Sequence, residues 1–138
     1  MECAESLKKF IIKKLDGFTE QNVLVGSVDL SRYEQKNLCL ILPEKSEIVD
    51  TNIGRGYDCN TTFTISFLFR GKSHGELVEK MEGMADSFQK LILGDYSLGS
   101  NVTDITPGEI KYYYDCGTVE KQATGLDIEL TITEVKDF

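Results

Sequence analysis

The chain has 138 residues, of which 41% are hydrophobic and 28% charged; these are the proportions of a globular domain, not of a disordered chain, and the length suits one hydrophobic core. Fifteen basic against 23 acidic side chains leave a formal net charge of −8, which repels phosphate backbones and argues against a high-affinity nucleic-acid binder. No apolar run approaches the ~20 residues of a membrane span, and Glu2, Glu5, Lys8, Lys9, Lys13 and Lys14 break the pattern of a signal peptide. The expectation is an intracellular protein with no membrane partner.

Ala4, Leu7, Phe10, Ile11 and Leu15 form one stripe at helical spacing. With an acidic first turn, a basic last turn and Asp16-Gly17 as the stop, Glu2 to Leu15 is expected to be an amphipathic helix. Val23–Leu30 and Leu38–Leu42 read as two strands joined as a hairpin, the second ended by Pro43. Residues 44–60 carry Gly54 and Gly56, mixed charge and little periodicity, so they are expected to be a long mobile loop, a candidate arm.

The clearest strand is Thr61–Arg70, where Phe63, Ile65, Phe67 and Phe69 alternate with Thr62, Thr64, Ser66 and Leu68. A one-residue slip would expose all four large side chains, each worth roughly 1.5–3 kcal/mol when buried, so the inward face is decided. Ser73 with Glu76 makes a capping box ahead of the stripe Leu77, Met81, Met84, Phe88, Leu91 and Ile92, a second helix ending at Gly94. Three further strands are expected: Val102–Thr106, stopped by Pro107-Gly108; Glu109–Cys116; and Leu126–Val135, the last two paired through 117–125.

Strand runs without intervening helices point to a single α+β domain over residues 1–138, a mixed, mainly antiparallel sheet with two helices packed on one face. Cys39, Ile41, Leu68, Tyr113 and Val135 then fall opposite the main apolar stripes, which makes the other sheet face a candidate contact surface. The four cysteines, Cys3, Cys39, Cys59 and Cys116, include no C-x-x-C pair; Cys39 and Cys116 read as small core residues.

Groups for catalysis are sparse. The one histidine, His74, follows the capping Ser73 and reads as an exposed first-turn residue, not half of a Ser–His pair. No metal-ligand spacing and no phosphate-binding glycine motif is present, so neither metal nor cofactor is expected; Gly54-Arg55-Gly56 reads as a bend displaying Arg55. In Tyr112-Tyr113-Tyr114, alternation turns Tyr112 and Tyr114 toward the core and leaves Tyr113 for a protein contact.

The order of these elements resembles the tail terminator family of long-tailed bacteriophages and phage-derived tail particles. The resemblance runs over nearly the whole chain: the opening helix, the two strands ending at Pro43, the long loop, strand Thr61–Arg70, helix Ser73–Leu93 and the closing Gly108–Cys116 and Gly125–Leu130 segments. It implies a structural protein, not an enzyme, that assembles in the bacterial host cytoplasm as a homo-oligomeric ring, commonly a hexamer. Such a ring caps the tail-tube protein, stops its polymerisation and presents the surface that meets a head-completion or neck protein, while DNA passes through without specific binding. Subunit-interface candidates are Arg55, Tyr57, Leu68 and Tyr113. A head-completion or head–tail adaptor protein, or a non-enzymatic protein-binding module, would share these features.

Overall fold

A computed structural model describes residues 2–26, 32–52, 56–94, 102–117 and 122–136. Helix α1 (Glu2–Lys14) leads into strand β1 (Val23–Val25), followed by β2 (Asn37–Asn52), β3 (Gly56–Gly71), helix α2 (His74–Gly94), β4 (Val102–Tyr113) and β5 (Gln122–Lys136). The strands form one sheet in the order β1-β2-β3-β5-β4, antiparallel except for the β1–β2 pair. This is the expected α+β architecture, with both helices contributing to one core on one face of the sheet. No described helix is long and apolar enough to cross a membrane.

The core follows from two periodicities meeting. Phe63, Ile65, Phe67 and Phe69 of β3 face the same side as Leu126, Ile128, Leu130 and Ile132 of β5, and all eight are buried. Onto them α1 places Ala4, Leu7 and Ile11, and α2 places Leu77, Met81, Phe88 and Ile92. Phe67 sits at the centre, edge to face with Phe18 (5.5 Å between centroids) and with Phe88 (5.6 Å), the geometry that ring quadrupoles prefer.

Local chemistry closes the elements. Gly17, at φ +88°, turns the chain after α1. The buried Asn22 side chain then fastens that turn, accepting from the Thr19 amide at 2.6 Å and donating to the Gly17 carbonyl at 2.8 Å. At α2, Ser73 Oγ accepts a long bond from the Glu76 amide, 3.5 Å, and Thr124 of β5, fully buried, donates to the Leu77 carbonyl at 2.8 Å.

Four expectations need correction. The described part of 44–60 is not a loop: 44–52 belong to β2 and 56–60 to β3, paired from Lys45–Thr62 to Asn52–Gly56, and 53–55 lie outside the described residues. Pro43 does not end its strand, and Pro107 does not split β4; each lies in an outer strand beside a bulge, where a missing N–H is tolerated. β1 and β2 are parallel, not a hairpin; just ahead of β2 the Lys36 carbonyl accepts from the Arg70 amide at 2.8 Å and the Tyr33 carbonyl from the Arg70 guanidinium. Of the first expected strand, 27–30 lie outside the described residues.

The fourth concerns faces. Cys39 and Ile41 pair with Phe67 and Ile65 and lie on the core side with no exposure, not on the outer face. Leu38, on that outer face, is also buried, so β2 begins as a strand covered on both sides.

Candidate functional site

The sheet face away from the helices carries polar rungs. Ser66 Oγ donates to Asp127 Oδ1 at 2.6 Å, Thr62 and Thr131 share a hydroxyl bond at 3.2 Å, and Thr133 donates to Asn60 Oδ1 at 2.6 Å. Near the first of these rungs, Thr64, Glu109, Lys111, Asp127 and Glu129 line a shallow depression of about 70 Å³. Neither His74 nor a cysteine reaches it, and among the described residues no three metal-capable side chains converge.

Of the four residues singled out from sequence, two share one rung. Leu68 and Tyr113 both lie opposite Gly125, from β3 and β4 respectively. Gly125 has no room for a side chain: a Cβ there would stand 2.8 Å from the Phe67 carbonyl, with Leu68 Cδ1 and Cys116 Sγ close by. Leu68, half-buried, thus fills space above the glycine and has a packing role.

Tyr113 is 42% exposed and donates its hydroxyl to Asp127 Oδ2 at 3.2 Å. The Asp127 charge, and then that hydrogen bond, push its phenol above the ordinary value, since an ionised oxygen beside a carboxylate is repelled. Tyr57 lies at the far end of the sheet, half-buried near the hairpin tip between Thr51 and Lys136. Arg55 lies outside the described residues.

Sequence reasoning missed the rest of the exposed apolar surface. Tyr112 and Tyr114 do not turn into the core: they are 43% and 50% exposed, their rings 6.3 Å apart, at the end of β4, the last of the described strands in the sheet order. Ile48 and Val49 are more exposed still, at 63% and 57%. They belong to the distal part of β2, where every side chain from Pro43 to Val49 is exposed. Val49 also falls in the bulge between Ile48 and Asp50, with no partner across the ladder.

The cysteines divide differently from the expectation. Cys39 is buried, and desolvation drives its thiol well above the ordinary value, leaving it chemically inert. Cys116 is an exposed residue of the segment after β4, not a core residue; partial burial of the thiol and then Asp115 raise its value. His74 opens α2 and is exposed.

Compared with known proteins, the chain matches no family model and no curated sequence.

Proposed function

We propose that the protein is a structural, non-catalytic subunit that assembles into a ring at the end of a phage or prophage tail tube, in the manner of tail terminators. By that resemblance the ring is a hexamer that halts tube growth and offers the surface for a head-completion or neck protein. It assembles in the host cytoplasm, ends in the virion or phage-like particle, and lets DNA pass without gripping it.

One observation carries the reading. The paired β2 and β3 carry the sheet on past β1, leaving one flank of β2 without a described neighbouring strand and two aliphatic side chains, Ile48 and Val49, exposed. A bare strand of this kind is a liability in a monomer and an asset in an assembly. The outer sheet face, hydroxyl-lined and acidic, suits a surface past which nucleic acid slides. The same uncovered strand favours a second reading, a monomeric binding module that accepts a partner's strand.

The two readings separate on solution mass, measured by light scattering after size exclusion over a range of concentration and salt. Subunits of charge −8 repel one another, so a ring should gain population as salt rises, and each contact needs about 800 Å² per partner. A species near six subunits that grows with salt supports the ring. A monomer throughout favours the binding module.

A further inference from the structure

The large hydrophobic side chains exposed among the described residues are Val25, Ile48, Val49, Tyr112, Tyr113 and Tyr114. All of them lie at the margins of the sheet. The first three sit on β1 and β2 at one edge; the tyrosines sit at the end of β4 and just beyond it, at the other. The inner strands and both helices contribute none among the described residues. Isolated exposed hydrophobics are ordinary, but confinement to two opposite edges is not what scatter produces.

Those edges are also where backbone pairing stops. β1 fills the lane outside β2 only opposite Cys39–Ile41, and from there to Asn52 no described strand lies alongside. Among the described strands, β4 pairs with β5 alone. Each edge presents backbone donors and acceptors to whatever comes beside it.

Strand direction decides what fits. Three successive antiparallel pairings, β2–β3, β3–β5 and β5–β4, make β4 antiparallel to β2. A second copy set side by side in the same orientation therefore brings its β4 against this β2 in the sense of the rest of the sheet. The lengths agree, because β4 has 12 residues and the open stretch of β2 runs from Leu42 to Asn52. With β1 blocking the lane at Ile41, the incoming β4 is displaced toward the hairpin tip. Its tyrosine end then stops against Val25, and its middle passes Ile48 and Val49. A stagger of this kind is what closing a sheet on itself requires.

We propose that the distal half of β2 and the length of β4 are the two sides of one head-to-tail joint, whose occupant is a second copy of this chain. The inference rests on the ring reading and supplies its contact. Unlike surfaces meeting in this way make a heterologous interface, which propagates until the rotation closes. Pro43 and Pro107, each beside a bulge, interrupt the two edges and so limit pairing with unrelated strands.

Amide hydrogen exchange on the full chain, read by peptide mass spectrometry in assembled and in dilute monomeric protein, tests the joint. Peptides spanning 42–52 and 102–113 should both slow by about tenfold or more on assembly. An assembled species in which neither stretch slows, or only 102–113 does, overturns the joint while the ring reading stands. Protection of 42–52 alone overturns it in favour of a twofold β2–β2 contact. A chain that stays monomeric at every concentration overturns both.

Discussion

Tyr113 and Ser66 hold the two oxygens of one carboxylate: the Tyr113 hydroxyl donates to Asp127 Oδ2 at 3.2 Å and Ser66 to Oδ1 at 2.6 Å. Asp127, half-buried on β5, thus links β4 to β3 by side chains as well as by backbone. The Asp127 charge, and then the hydrogen bond it accepts from Tyr113, oppose ionisation of the phenol.

That relationship is measurable as a titration. The Tyr113 phenol, resolved as the difference in alkaline absorbance between the wild type and Tyr113→Phe, should ionise above the ordinary tyrosine value. Asp127→Asn removes the charge and should bring it back toward that value. Because the folded-state value is raised, whatever this contact adds to stability is present below the ordinary phenol value and is lost as pH rises through the raised one. A midpoint that Asp127→Asn leaves in place would separate the two groups in solution.

Phe88 and Lys90 stand two residues apart on α2 with opposite consequences. Phe88 is fully buried against Phe67, so Phe88→Ala should cost about 3–5 kcal/mol through lost burial and a residual cavity. Lys90 reaches Asp86 at 3.0 Å, but their side chains are 76% and 69% exposed, and Lys90→Ala should cost less than about 1 kcal/mol. Denaturant unfolding checks both, and similar midpoints for the two variants would contradict the assigned core.

What sequence made visible was what periodicity encodes. The alternation in Thr61–Arg70 and the stripes of both helices name the buried face correctly, because each reports a face covered by the rest of the protein. Distal β2 carries no such signal: Pro43 to Val49 are exposed on both sides, so nothing selects alternation, and the strand is held by its ladder to β3. Leu38–Leu42 fails for the reverse reason. Buried at Cys39 and Ile41 on the core side and buried or half-buried at Leu38, Leu40 and Leu42 on the other, it reads as apolar throughout and leaves open which side Cys39 and Ile41 take. The rung joining Leu68, Gly125 and Tyr113 depends on register across three strands, a non-local quantity.

Gly125 shows how closely that register is set. A Cβ added there meets the Phe67 carbonyl at 2.8 Å, and backbone in the middle of a sheet cannot step aside cheaply. Gly125→Ala should therefore destabilise by about 1–3 kcal/mol, the usual cost of overpacking, although alanine is otherwise at least as well suited to a strand. Gly83→Ala, in α2 with nothing within 4 Å of the new Cβ, should instead stabilise by up to about 1 kcal/mol. Thermal unfolding of the pair distinguishes a steric requirement at Gly125 from a general intolerance of change.

Val49 offers the sharpest separation of folding from assembly. It is 57% exposed, sits in a bulge and has no partner across the ladder, so Val49→Lys removes little buried surface and should shift monomer stability by no more than about 0.5 kcal/mol. At a joint formed by distal β2 and a neighbouring β4, the same change sets an ammonium where an aliphatic surface meets another chain. The cost of desolvating that charge without a partner should weaken self-association by tenfold or more, about 1.4 kcal/mol. Lys itself is a common guard on exposed strands, which makes the substitution mild for the fold. Sedimentation velocity across a concentration series, beside a melting curve, reads the two quantities independently. Loss of assembly with an unchanged melt assigns Val49 to the interface, whereas unchanged assembly removes distal β2 from it.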